Sequence, residues 1–203
     1  MKNTISILTL LLIGLTGMFP VSAQTPMKVL DKCAATVSSK DGASASFTMN
    51  SAQYGSASGT ISIKNRMFCT KTETLSMWFD GKTLWTYMAK NDEVNVSTPT
   101  ENQLQTLNPY NFINLYKEGF DLTMTSTQSS YTVHLTARDQ QRKIQEAFIT
   151  VDKTTYAPKE IKMLQGNKWT NFTVSNLKTQ KLSDAIFRFN PAAYPSAEII
   201  DLR

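Results

Sequence analysis

Side chains able to do chemistry are scarce in this chain. His134 is the only histidine and Cys33 and Cys69 are the only cysteines among 203 residues. Three such ligands are too few for a zinc centre built from His and Cys. His134 falls on the polar side of an alternating strand, Tyr131 to Thr136, and no Gly-x-Ser-x-Gly elbow supplies it with a nucleophile. The carboxylates Asp80, Asp121, Glu146 and Asp152 sit at turns or on polar strand faces, where they form no recognisable acid/base pair. None of the eight glycines builds a phosphate-cradling loop. The expectation is a binding protein without cofactor or metal, not an enzyme.

Charge excludes a second class. Lys plus Arg number 21 against 16 for Asp plus Glu, a formal +5. The excess is scattered over positions such as Lys64, Lys71, Lys159, Lys162 and Lys168, a solvated strand face rather than the clustered stripe of a nucleic-acid binder. Apolar bulk remains: ten Phe, nine Met, seven Tyr and three Trp. Methionine is a flexible filler that re-packs around a variable apolar guest.

The elements that must position this bulk read clearly. Met1-Lys2, an apolar run from Ile5 to Leu15 and the small residues Ser22-Ala23 have the form of a cleaved export signal over 1–23. A single exported domain over 24–203 is then expected. In an oxidising compartment Cys33 and Cys69 either bridge or stay as small buried thiols, and spacing does not choose between them. Thr25-Pro26 followed by Met27, Leu30, Cys33, Ala34 and Val37 predicts a capped helix with one buried stripe.

From Ala43 the period changes to two. Phe47, Met49, Ile61 and Ile63 alternate with polar residues, and Asp80-Gly81 marks a tight hairpin. Strands continue to Ser97, resume at Phe120 and run to Leu177, with a last short pair at 187–189 and 198–201. Between them Pro99 and Asn108-Pro109 break the pattern, predicting two short helices that carry Leu104, Leu107, Phe112, Ile113 and Leu115. The fold class is therefore mainly β: about eleven antiparallel strands, an N-terminal helix and a mid-chain helical cover. So much one-sided apolar sheet under so little helix leaves an apolar cavity.

The sequence resembles the LolA family of periplasmic outer-membrane lipoprotein carriers. The best local match is Asp80-Gly81-Lys82-Thr83-Leu84-Trp85-Thr86-Tyr87. Ala45-Ser46-Phe47-Thr48, Gly59 to Lys64, Asn108-Pro109, Phe187-Arg188-Phe189-Asn190-Pro191 and the closing Glu198 to Arg203 follow the family's order. The resemblance implies an incomplete, strongly curved barrel whose interior takes lipoprotein acyl chains. It further implies a monomeric periplasmic carrier. Such a carrier is loaded by a LolCDE-type inner-membrane exporter and unloaded at an outer-membrane acceptor such as LolB. A carrier or sensor of free lipids, like the family's LolB and RseB relatives, is the alternative.

On this resemblance Phe47, Met49, Ile61, Ile63 and Phe68 form the acyl-chain wall, joined by Trp78 and Trp85. Alternation places Leu84 and Trp85 on opposite faces, so only one of them lines it. Leu104, Leu107, Phe112, Ile113 and Leu115 form the lid. The family's latching Arg-Pro after the second strand is replaced by Lys64-Asn65-Arg66-Met67-Phe68. Either Arg66 takes over that role or the latch is missing.

Overall fold

In a computed structural model the described residues are 24–100, 103–104 and 115–203. The expected signal at 1–23 lies outside them.

Helix α1 (Pro26–Val37) starts where the sequence places it: Thr25 Oγ1 accepts from the Lys28 amide at 3.3 Å and Pro26 occupies the first turn. Its buried stripe is Val29, Leu30, Cys33, Ala34 and Val37. Met27, expected in the stripe, is 41% exposed and Val29 replaces it. The contact arc is thus rotated toward Val29, because the helix settles on a surface whose position its own periodicity does not encode.

Among the described residues twelve strands form one sheet: β1 (Ala43–Ser51), β2 (Gly55–Lys64), β3 (Met67–Thr72), β4 (Leu75–Phe79), β5 (Leu84–Met88), β6 (Glu93–Ser97), β7 (Phe120–Ser126), β8 (Ser130–Ala137), β9 (Glu146–Asp152), β10 (Pro158–Gln165), β11 (Lys168–Thr179) and β12 (Glu198–Asp201). The order is β12-β6-β5-β4-β3-β2-β1-β11-β10-β9-β8-β7. The sheet is curved and does not close, with β12 and β7 at its edges. Two antiparallel meanders meet at the β1–β11 seam, where Met49 pairs with Phe172 and Phe47 with Val174. The register shifts between Ser44 and Ser46, and Asn176 opposite has φ 53°. Such a bulge bends both strands and steepens the twist, which helps the sheet curl.

The expected final strand pair differs. Residues Asp184–Phe187 form a 3-10 turn, and β12 joins the far edge by pairing parallel to β6. Phe187 and Phe189 serve instead as plugs on the outer face. They pack with Tyr194 against Cys69, Trp78 and Trp85.

The inner face is filled unevenly. Under α1, Leu30 and Cys33 pack with Val133, Leu135, Ile149 and Val151 of β8 and β9. Tyr116, 1% exposed, joins this core and its hydroxyl donates to Asp31 Oδ1 at 2.6 Å. At the other side Phe68, Phe79 and Leu84 pack around Leu104. Between these two regions the described residues leave the inner face open.

Candidate functional site

The open region is a cavity of about 530 Å³, lined from β1, β2, β3, β4, β10 and β11 with Val37 of α1 at one end. Sites for small ligands usually span ~300–1,000 Å³. Strands lie ~4.8 Å apart, so the path from β4 to β10 is about 24 Å along the sheet. This is a trough crossing the strands.

Small residues make the space. Ala43, Ala45 and Ala57 line it, and Gly59 faces Phe47 across the β1–β2 ladder. At Gly59 the strands come so close that a Cβ would stand 2.0 Å from the Lys71 carbonyl oxygen. Large apolar side chains rise around these gaps half-buried, their packing incomplete on the trough side. They include Phe47, Met49, Ile61, Met77, Phe172 and Val174.

Most of the polar groups are ordered as well, Ser44 at the start of β1 and Thr70 within β3 being the others. Tyr54, Ser56, Thr72, Thr74, Gln165 and Thr170 lie toward the hairpin ends of the strands. Thr170 and Ser51 share a hydrogen bond of 2.8 Å, and Thr72 Oγ1 bonds both the amide and the carbonyl of Leu75. Among the described residues no charged side chain lines the cavity. None of them form a cluster of three or more His, Cys, Asp or Glu able to hold a metal ion.

Of the residues expected to line the wall, Phe47, Met49, Ile61 and Ile63 come together in this cavity. Phe68 stands on the same face but is wholly buried against Phe79, ring centroids 5.5 Å apart, and contributes packing below Leu104. Trp78 and Trp85 are placed on the opposite, outer face. The pairs Cys69 with Trp78 and Trp78 with Trp85 fix that orientation. Leu84 is the inward partner of that dipeptide, 5% exposed beside Phe79.

Of the expected lid, Leu104 is buried against β2–β5 and Leu115 packs near α1, whereas Leu107, Phe112 and Ile113 lie outside the described residues. Arg66 occupies the exposed two-residue turn between β2 and β3. Cys33 and Cys69 are free thiols in separate clusters on opposite faces of the sheet. Burial pushes the Cys33 thiol up to about 12, and burial also raises that of Cys69 against the opposing field of Lys71.

The site also draws on Ile161 and Met163 of β10 and Phe172 and Val174 of β11. Their alternation is as regular as that of β1. Nothing local says that the chain's distant halves share one trough.

His134 Nε2 donates to the Glu146 carboxylate oxygen Oε1 at 2.6 Å, and the ring stacks on Phe148 at 4.2 Å, on the outer face away from the cavity. The arrangement can shelter an apolar chain, and no constellation for bond making accompanies it among the described residues.

A family model described as "Outer membrane lipoprotein carrier protein LolA" matches residues 16–167. Among solved structures, an uncharacterized conserved protein from Thermus thermophilus superposes with a TM-score of 0.59 at 14% identity, covering 88% of this chain and 99% of that one. A LolA superfamily protein from Nitrosomonas europaea gives 0.43 at 12% identity over 82% and 99%. The Mycobacterium tuberculosis lipoprotein LppX gives 0.45 at 8% identity over 78% and 95%. No curated protein matches the chain. Among the described residues no helix is long and apolar enough to cross a membrane.

Proposed function

The chain belongs to the LolA family of outer membrane lipoprotein carrier proteins, and from that premise we propose that it is an exported, non-catalytic carrier that shelters lipoprotein acyl chains in its trough. In this reading residues 1–23 are removed on export and the single domain 24–203 works in the periplasm as a monomer. Cargo arrives from a LolCDE-type exporter and leaves to an outer-membrane acceptor.

The observation that carries the reading is the apolar trough that the described residues leave between two packed cores, with no charged side chain among its described lining residues. Each acyl CH₂ withdrawn from water is worth ~0.8 kcal/mol, so even a partly covered chain is held by several kcal/mol. A lining without charge confines recognition to the chain itself, as a carrier of varied cargo requires.

The test is co-purification. The mature protein is offered a lipoprotein in its acylated form and in a form whose lipidated cysteine is replaced. Retention of the acylated form alone is the expected result, and equal retention of both overturns the proposal. Native mass spectrometry showing stoichiometric free lipid and no lipoprotein would transfer the role to free-lipid carriage.

A further inference from the structure

One polar atom in the trough is out of place. Thr70 on β3 is 8% exposed and lines the cavity, and its Oγ1 is buried with no hydrogen-bond partner among the described residues. Its cross-strand neighbours on the same face are Ile61 and Met77, so neither flank can satisfy it. The wall hydroxyls of Thr72 and Thr170, by contrast, are engaged within the protein. A buried hydroxyl left unmade is costly, whereas valine would fill the same volume without that cost. In the ligand-free protein Thr70 is therefore a defect. It becomes an asset once a ligand brings an acceptor.

The position limits what that acceptor is. Thr70 lies one inner-face step, about 7 Å, below Thr72 near the hairpin ends. It also stands toward the β4 end of the trough. From there to Ile161 and Met163 of β10 the lining is mostly apolar, and the hydroxyls of Ser44, Ser56 and Thr170 along it are already bonded within the protein. A chain lying across the strands would place its polar end by Thr70 and its tail over β1, β11 and β10. Among the described residues no cation lines the cavity to balance a carboxylate there, and desolvating an unpaired charge is prohibitive.

We propose that Thr70 is the polar anchor of the trough, donating its hydroxyl proton to the carbonyl oxygen of an ester- or amide-linked acyl chain. This rests on the acyl-chain reading above and adds to it a preference between linkages. An ester or amide offers a neutral acceptor, an ether chain offers a far poorer one, and a free fatty acid brings a charge the site does not match.

The experiment uses the mature protein loaded with a neutral naphthylamine dye. The dye is displaced by dipalmitoylglycerol or by its dihexadecyl ether counterpart, each presented in detergent micelles. The wild type is expected to favour the ester by about fivefold, the span of one net hydrogen bond. Thr70→Val brings the ratio to about one with ether affinity unchanged or tighter, and raises the melting temperature of the empty protein. Thr70→Ser restores the ester preference. An ester-to-ether ratio near one in the wild type, or the same ratio in wild type and Thr70→Val, overturns the anchor while leaving acyl binding intact. Failure of both lipids to displace the dye from the wild type overturns the acyl-chain reading itself.

Discussion

Phe47 is half-buried at the middle of the β1 wall, facing Gly59 on one side and Val174 on the other. Phe47→Glu puts a carboxylate on the floor of a trough with no cation among its described lining residues. Because the residue is partly open to water when the trough is empty, folding survives, but each bound chain would desolvate the charge. Affinity for an acylated ligand should fall by about 3 kcal/mol or more, roughly a hundredfold, read by dye displacement. Gly59→Ala tests packing rather than binding. Its Cβ would meet the Lys71 backbone, which cannot swing aside as a side-chain tip would. A loss of about 2–3 kcal/mol is expected in chemical denaturation. Single residues were only half legible in the sequence. Period two separates Phe47, Met49, Ile61 and Ile63 from their polar neighbours, but it yields two sets of positions and does not name the inner one. Where both faces are covered, as for Trp78 and Leu84, both sets are apolar and alternation loses its meaning.

At the level of elements, the turn joining β9 to β10 shows how a short segment fixes the trough's far wall. Asp152 accepts from the Thr154 and Thr155 amides, both at 2.9 Å, and pairs with Lys159 Nζ at 2.8 Å. The Lys159 contact first, then the backbone amides, hold this carboxyl far below the ordinary range. Since the folded value is depressed, the carboxylate's stabilisation is complete above about pH 4, the unfolded value. It erodes as the pH falls below that toward the folded value. Asp152→Asn should lower the melting temperature at pH 7, and the gap from wild type should narrow steadily below pH 4. Helix α1 and the strands through β11 were readable because caps, Asp-Gly turns and alternation are local signals. The C-terminal segment was not. β12 pairs in parallel with a strand about a hundred residues earlier, a contact with no trace in its neighbours. The residues around Phe187 take their conformation from the outer face they plug.

For the molecule as a whole, the decisive feature is the difference between a filled and an unfilled interior. Composition and pattern announce a sheet with too little helix to cover it, but only the curl of the sheet decides how much room is left. Ala57→Trp tests that room directly, since Ala57 faces Met49 in the trough. The indole would occupy space that no backbone needs. Acyl-ligand affinity should drop by more than about tenfold, while the melting temperature stays at or above that of the wild type. A steep fall in melting temperature would mean that the region is already packed. The β1–β11 seam ties residues 43–51 to 168–179, so the trough exists only after the chain's two meanders have met. Such distant pairing makes folding slow compared with a helical bundle of this size.

The division of the sheet into two differently covered faces also decides what light can report. Trp78 and Trp85 sit beneath the C-terminal plug, and Trp169 is 41% exposed beside Phe148 on that same outer side. Indole emission therefore tracks detachment of the plug and is nearly blind to what occupies the trough. An optical sensor of loading has to be installed among the hairpin-end residues, where Tyr54 already stands 64% exposed at the rim.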